Sequence, residues 1–203
     1  NKAKAYSLGV AYGMEAYALK MTLGVDQKTA EQLIKGYLDG FPQLKEWREN
    51  SRMQVKDNGY IKNYVGRIRH IPKVKRIYEK FGERILDWRF RSELSNQYGK
   101  DQVLKVYRDY RNGLNNCLNF QLQSLAASVV NRAALKINRK AKELNIDAIV
   151  QAQVHDQLII NIREDQAKRF APYVQEIMEN TTKLPGVTLK APPEIADNWR
   201  EGH

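Results

Sequence analysis

The stretch IVQAQVHDQLIINI, from Ile149 to Ile162, places a histidine and an aspartate between two apolar, β-branched runs. Runs of this composition around a short polar pair predict a β-hairpin with His155 and Asp156 at its tip. Burying a charged group without a partner costs free energy. The tip is therefore either a solvent-exposed turn of purely structural use or a place where a ligand satisfies the two side chains.

Helices are predicted on both sides of this hairpin. Upstream, residues 117–144 read as a long helix because apolar residues recur at spacings of three and four. These residues are Leu118, Leu122, Leu125, Ala126, Val129, Ala133 and Ile137. Downstream, a helix over residues 164–179 contains Pro172, which is expected to bend it. The final stretch PGVTLKAPPEIADNW, residues 185–199, predicts an edge strand, since paired prolines exclude a central one.

The N-terminal part of the chain also predicts helices. Residues 1–23 are small, apolar and rich in tyrosine, and Gly24 is expected to close the helix that they form. Asp26 is a suitable N-cap for a second helix, which ends at Gly40. Pro42 suits the first turn of a third helix, because its missing N–H is not needed there.

The middle of the chain combines a hairpin with a charged helical region. GYIKNYVGRIRHIP, residues 59–72, alternates around Gly66 and predicts two short strands. Residues 73–111 are charged and aromatic and predict helix, with a break at Gly99.

The composition excludes several classes of protein. With 42% hydrophobic residues the chain can bury a core, so wholesale disorder is excluded. No apolar run approaches the length of about 18 residues that a transmembrane helix needs. The single Cys117 excludes an internal disulfide, and three histidines without a CxxC pair argue against a Cys/His metal cluster.

The positive charge is concentrated in one region. The net charge is +11, and the segment from Ile61 to Arg111 has 14 basic and 6 acidic residues, which is +8 of that total. A concentrated basic region is typical of a protein that binds a polyanion, usually nucleic acid. The alternative is a solvated surface that keeps the protein soluble.

Two groups of residues are candidates for chemistry. Lys4, Leu8 and Tyr12 follow one another at i, i+4 spacing, so one helix face presents a cation, an aliphatic group and a ring. That order suits the phosphate, sugar and base of a nucleotide, and the alternative is a stripe that faces the core. Asp156 suits Mg²⁺, which prefers carboxylate oxygens; the alternative is an ordinary turn residue.

Four segments in this order resemble the motifs of DNA polymerase family A, the DNA polymerase I family. AKAYSLGVAYG, residues 3–13, resembles the K-x7-YG pattern of the fingers helix, and residues 59–72 resemble the T-x2-G-R-R-R-x-hydrophobic-P hairpin. NFQLQSLAA, residues 119–127, resembles the N-x3-Q-G-T-A-A helix, and QVHDQL, residues 153–158, resembles the palm motif VHDE. Single-subunit RNA polymerases share K-x7-YG but resemble the chain less at the second and third segments.

The resemblance implies an α+β fold with right-hand polymerase architecture. Residues 1–72 would be a helical fingers subdomain, residues 73–110 a charged helical insertion, and residues 111–203 the C-terminal part of the palm. The insertion is longer than the matching link in compact bacterial members. The palm would be incomplete, with an antiparallel sheet made by the hairpin around Asp156 and the C-terminal strand.

The resemblance also implies an activity, which is template-directed transfer of a dNTP to a primer 3′ end by a two-metal mechanism. The expected partners are primer-template DNA, dNTP and Mg²⁺, and no membrane. The residues expected to bind the nucleotide are Lys4, Leu8, Tyr12 and Gly13. The residues expected to bind DNA are Arg67, Arg69, Asn119, Gln123 and His155. The expected catalytic residues are Asp156, which would hold the metal, and Lys4.

The chain departs from the family pattern at several positions. Leu8 stands where the family has Phe or Tyr, so dideoxynucleotides should be excluded, and Gln157 replaces the Glu of VHDE. Ile68 replaces the middle arginine of the hairpin, and residues 124–125 replace Gly-Thr.

The family's second metal-binding aspartate lies upstream of the fingers, and no residue of this chain corresponds to it. The chain also begins without methionine or a signal-peptide pattern. We therefore expect a piece of a longer protein, inactive by itself, that works with the upstream remainder of the polymerase. The expected location is the cytoplasm of a bacterial or virus-infected cell, or an organelle that contains nucleic acid.

Two other functions are compatible with the sequence. One is a relative of the single-subunit RNA polymerases or of reverse-transcribing enzymes, which would use the same architecture with a different sugar preference. The other is a non-catalytic nucleic-acid-binding domain that keeps the fold without turnover.

Overall fold

A computed structural model describes residues 2–198 and 200–201 of the chain. These residues form helices and two small antiparallel sheets, which confirms the α+β class. The helices are α1 (Lys2–Ala11), α2 (Ala16–Leu23), α3 (Gln27–Gly40), α4 (Pro42–Asn58), α5 (Pro72–Phe81), α6 (Trp88–Tyr98), α7 (Lys100–Glu143) and α8 (Glu164–Asn180). The strands are β1 (Tyr60–Lys62), β2 (Ile68–His70), β3 (Ala148–Val154) and β4 (Gln157–Ile162).

The chain divides into two compact units, residues 1–122 and 123–203. A short 3₁₀ segment, Gly82–Leu86, joins α5 to α6 in the first unit. The described residues contain no helix with both the length and the hydropathy that a membrane crossing requires.

Two helix starts in the first unit confirm the sequence prediction. The Asp26 carboxylate accepts a hydrogen bond from the Thr29 backbone N–H at 3.0 Å and so caps α3. Pro42 lies in the first turn of α4. Gly59 closes α4 in the left-handed region, with φ of 72°, which favours glycine.

The continuous helix predicted over residues 1–23 is wrong, because the chain turns between α1 and α2. Gly13 has φ of 93°, and its N–H donates to the Val10 carbonyl at 3.1 Å. The N–H of Met14 donates to the Gly9 carbonyl at 2.7 Å. These two bonds satisfy the last carbonyls of α1, as in other helices that glycine ends.

Helix α7 is longer than predicted. It begins at Lys100, directly after the predicted break at Gly99, and not at residue 117. Gly113 lies inside the helix and does not end it. At this residue α7 packs closely against α5. A Cβ atom at Gly113 would lie 2.3 Å from Cγ2 of Val74, a fully buried residue of α5. The core of the first unit surrounds this contact and contains Val55, Ile61, Val74, Ile85, Tyr110, Leu114, Cys117 and Leu118.

We expect Gly113→Ala to lower the free energy of unfolding by about 1–3 kcal/mol, because the added methyl group overpacks the core against Val74. Urea unfolding measures this change. Gly36 is the matched control, since it lies within α3 and a Cβ there meets no atom within 4 Å. Gly36→Ala should raise the free energy of unfolding by about 0.5–1 kcal/mol. Stabilisation by both substitutions would contradict the close approach of α5 and α7.

The second unit is built on the predicted hairpin. β3 and β4 pair antiparallel, from Ala148 opposite Ile162 to Val154 opposite Gln157. The Oδ1 atom of Asn138 in α7 accepts a hydrogen bond from the Val150 N–H at 3.0 Å, which fixes β3 on the helix. The core of this unit contains Ile137, Ala141, Ile146 and Phe170. Helix α8 confirms the helix predicted over residues 164–179, and Pro172 lies inside it.

The C-terminal edge strand is a wrong prediction. Within the described residues, the only backbone pairing in this segment is an isolated bridge between Leu184 and Val187. The prolines at 192–193 have no N–H to donate, so the segment cannot extend a ladder. It is attached instead through Ala191, whose N–H donates to the Glu179 carboxylate at 3.1 Å. The sheet that contains Asp156 therefore has two strands among the residues that are described.

Candidate functional site

Helix α1 presents two of the predicted nucleotide-binding side chains, Lys4 and Leu8, to solvent. Lys4 is exposed and the Leu8 side chain is 46% exposed, whereas Val10 is fully buried. The Tyr12 N–H donates to the Leu8 carbonyl at 2.9 Å, so Tyr12 keeps a helical position one turn beyond Leu8. The alternative of a stripe that faces the core is wrong for Lys4 and Leu8. The Lys4 and Leu8 side chains are therefore both accessible to a ligand.

A buried arginine holds the end of α1 in place. The Nη1 atom of Arg48 in α4 donates to the Val10 carbonyl at 3.0 Å, and the side chain is 7% exposed. Carbonyls at a helix C-terminus carry partial negative charge, which a cation stabilises. Burial lowers the pKa of the Arg48 guanidinium. This contact fixes the turn that carries Tyr12.

The turn is fixed on a second side by α7. Glu15, which precedes α2, forms an ion pair with Arg111, and Arg111 also donates to the Tyr107 hydroxyl at 3.0 Å. A Cβ at Gly13 would lie 2.9 Å from Oδ1 of Asn115, so only glycine fits this approach. Sequence reasoning identified Gly13 but missed Arg48, Glu15 and Arg111, because nothing in the local pattern reveals contacts across tens of residues.

The hairpin formed by β1 and β2 presents its arginines to solvent. The buried Asn63 organises the turn, since its Oδ1 accepts hydrogen bonds from the N–H groups of Val65 at 3.1 Å and Arg67 at 2.8 Å. Arg67 and Arg69 are both exposed. The Arg69 guanidinium lies 5.9 Å from the ring centroid of Phe120. The structure therefore brings Arg69 beside the segment that contains Asn119.

The two predicted residues of the third motif differ in their surroundings. Asn119 is half-buried, and its Oδ1 atom is buried without a hydrogen-bond partner among the described residues. Gln123 is exposed. Gln121 faces inward, and its Nε2 donates to the Ser51 hydroxyl at 2.6 Å. Gln121, which lies between Asn119 and Gln123 in the sequence, is therefore used for a contact inside the first unit.

The tip of the β3–β4 hairpin carries the predicted pair. His155 and Asp156 occupy the two positions between Val154 and Gln157, and both side chains are exposed. His155 has φ of 54°, which a residue other than glycine adopts in tight hairpin turns. Gln153 donates to the His155 carbonyl at 3.1 Å and so supports the turn.

The Asp156 carboxylate is accessible to a ligand. It forms neither an ion pair nor a hydrogen bond with any residue that the structure describes. The same residues contain no cluster of three or more His, Cys, Asp and Glu side chains that could enclose a metal. Mg²⁺ does not need such a cluster, because it retains waters and binds through one or two carboxylates together with substrate phosphates. Asp156 therefore fits as one ligand of such an ion.

A protein-family model matches nearly the whole chain. The model of DNA polymerase family A matches residues 1–201. This chain belongs to DNA polymerase family A. The match covers all four motifs and both units.

Individual relatives within family A are distant in sequence. The chain is 26% identical to DNA polymerase I of Rhizobium leguminosarum over 208 aligned residues, which cover 100% of this chain and 18% of that protein. It is 28% identical to the thermostable DNA polymerase I of Thermus filiformis over 199 residues, which cover 98% of this chain and 20% of that protein. The chain thus spans about a fifth of the length of these relatives.

A solved structure has the same fold. It is the POL domain of Pol1 from M. smegmatis in complex with DNA primer-template and dNTP. The two share 24% sequence identity with a TM-score of 0.71, over 93% of this chain and 28% of that one.

Proposed function

We propose that this chain supplies the fingers and the C-terminal part of the palm of a template-directed DNA polymerase, which transfers a nucleotide from a dNTP to a primer 3′ end. The main support is that Lys4 and Leu8 are exposed on α1, with Tyr12 one turn further along, in a chain that belongs to family A. Nucleotidyl transfer requires positioning and charge neutralisation more than covalent chemistry, and this face provides groups for both.

In this proposal the nucleotide lies along α1. The Lys4 ammonium neutralises the triphosphate, since phosphoryl transfer leaves charge on the leaving oxygens. Leu8 packs against the sugar and base, and Tyr12 with Gly13 occupies the insertion site of the template base. Arg48 supports this arrangement as a positioning residue, because it fixes the carbonyl end of α1.

The proposed DNA contacts involve four exposed residues and the half-buried Asn119. Arg67 and Arg69 bind phosphates of the duplex near the active site, since exposed guanidinium groups suit phosphate geometry. Asn119 and Gln123 contact the template and primer near the growing end. His155 contacts the primer terminus and can donate a hydrogen bond from its ring.

Asp156 is proposed as a ligand of catalytic Mg²⁺. When bound, the metal would lower the pKa of the primer 3′-hydroxyl and neutralise charge on the phosphates. The contribution of the protein is to hold the carboxylate on a tight two-residue turn, where little conformational entropy remains to be lost.

The organisation that we propose has three parts, with fingers at residues 1–72, a charged helical insertion at 73–110 and palm at 111–203. Its partners are primer-template DNA, dNTP and the remainder of the polymerase, which supplies the second metal-binding aspartate. The proposed location is the cytoplasm of a bacterial or virus-infected cell, or an organelle with its own nucleic acid.

Primer extension by the full-length polymerase that contains this chain tests the proposal. With Mg²⁺ and a primed template, we expect extension with dNTPs and strong discrimination against rNTPs. Efficient rNTP incorporation would favour the RNA polymerase alternative. DNA binding with a steep salt dependence but no extension would favour the non-catalytic alternative.

Leu8 predicts how the enzyme selects the sugar. We expect Leu8→Tyr to raise ddNTP incorporation relative to dNTP by about tenfold, the effect of one hydrogen bond from a hydroxyl that replaces the missing 3′-OH. Single-nucleotide incorporation kinetics measure this ratio. Leu8→Phe is the matched control, because it adds the ring without the hydroxyl and should leave the ratio unchanged. Equal ratios in the two variants would contradict contact between position 8 and the sugar.

A further inference from the structure

A groove in the first unit lies outside the proposed nucleotide, DNA and metal sites. Its floor consists of aliphatic side chains from α5, the 3₁₀ segment, α6 and α7, namely Ile77, Ile85, Leu94, Val103 and Val106. Ile85 and Val103 are buried, and the other three are half-buried. The floor of the groove is therefore a part of the core that is partly accessible to solvent. The cavity volume is about 420 Å³, within the range of ligand pockets. We call this feature the insertion groove.

The rim of the insertion groove is cationic. Lys73, Arg76 and Lys80 line it from successive turns of α5. The Lys73 ammonium pairs with Asp109 at 3.0 Å, which neutralises one of the three cations. Arg76 is exposed and forms no ion pair with any residue that the structure describes. The rim therefore keeps an excess of positive charge beside an apolar floor.

We propose that the insertion groove binds a short acidic peptide segment of another protein, which inserts one or two large apolar side chains. Aliphatic or aromatic anchors fill pockets of this kind and supply most of the binding energy of such interfaces. Carboxylates that flank the anchors would meet Arg76 and Lys80 at the rim, and this charge complementarity selects an acidic partner.

The lining of the groove favours a peptide over single-stranded nucleic acid. Bases bind single-strand sites by stacking on open aromatic faces. The two rings at the groove belong to Phe81 and Tyr98, and the Lys80 ammonium lies over both, 5.1 Å and 5.4 Å from their centroids. The floor below is aliphatic and fits apolar side chains. The proposal does not depend on polymerase activity.

Fluorescence anisotropy with the full-length polymerase that contains this chain tests this inference. The probe is a fluorescein-labelled synthetic peptide of Asp and Glu residues that contains one Leu and one Phe. We expect saturable binding that weakens about tenfold or more when both anchors are replaced by Ser. Arg76→Glu should weaken binding about tenfold, while Lys168→Glu, an equal charge change at an exposed site on α8, should change it less than about twofold.

Each contrary result overturns the proposal. Absence of saturable binding excludes an acidic peptide as the occupant. Equal affinity for the Ser peptide, or equal weakening by Arg76→Glu and Lys168→Glu, would mean that binding is diffuse electrostatic attraction. Binding of oligothymidylate that is lost in Arg76→Glu, together with its displacement of the peptide, would assign the groove to nucleic acid.

Discussion

Lys4→Ala in the full-length polymerase is expected to lower kcat/KM for dNTP incorporation by about 10²–10³-fold, the usual effect of removing one preorganised group that stabilises transition-state charge. Lys4 is exposed on α1 and stands one turn before Leu8, so its loss leaves the fold intact. The affinity for primer-template should change little, because the ammonium is proposed to act on the triphosphate.

Single-turnover incorporation over a range of dNTP concentrations measures this effect. Lys28→Ala is the control, since it removes an exposed lysine from another helix, α3, and should leave kcat/KM unchanged. A variant of Lys4 with unchanged incorporation kinetics would contradict the assignment of α1 as the nucleotide-binding helix. Equal losses in both variants would mean that general positive charge, and not Lys4, is responsible.

The sequence predicts best those features that depend on neighbouring residues. The hairpin around His155 and Asp156 follows from two β-branched runs that flank a polar pair, and the Asp26 cap follows from its position before a helix. Both are confirmed, and each is formed by hydrogen bonds within one continuous segment of the chain.

The wrong predictions come from features that need more than local pattern. The segment before Gly24 reads as one helix, whereas Gly13 ends α1 in the left-handed region and lies close to Asn115 of α7, a contact that the sequence does not reveal. Gly113 gives no sign in the sequence that it is a packing contact with Val74. The predicted C-terminal edge strand does not form. Proline is tolerated in edge strands, but the consecutive prolines of this segment lack the N–H groups that backbone pairing requires.

The candidate site divides in the same way. Spacing alone predicts that Lys4, Leu8 and Tyr12 share one face of a helix, and the exposure of Lys4 and Leu8 agrees with that prediction. The groups that hold this helix end, Arg48 and the pair of Glu15 with Arg111, are distant in sequence and became visible only in the fold. The proposed roles of the site residues rest on the family pattern and stay predictions.

Asp156→Asn is expected to have the larger effect, a loss of about 10³-fold or more in the rate of primer extension. The substitution keeps the size and the turn geometry but replaces a carboxylate, the ligand that Mg²⁺ prefers, with a neutral amide. Metal ions contribute several kcal/mol to phosphoryl transfer, and each loss of about 1.4 kcal/mol lowers the rate tenfold. The fold and the binding of primer-template should be retained, because the side chain is exposed and forms no ion pair or hydrogen bond with the described residues.

The most direct test is the single-turnover rate of primer extension in Mg²⁺ by the full-length protein and its Asp156→Asn variant, with primer-template affinity measured in parallel. Asp147→Asn serves as the control, since it makes the same chemical change at an exposed position just before the hairpin. We predict that only Asp156→Asn loses extension by several orders of magnitude while DNA binding persists. Extension by Asp156→Asn at the rate of the unmodified protein would contradict the account of the hairpin tip as the metal-holding site.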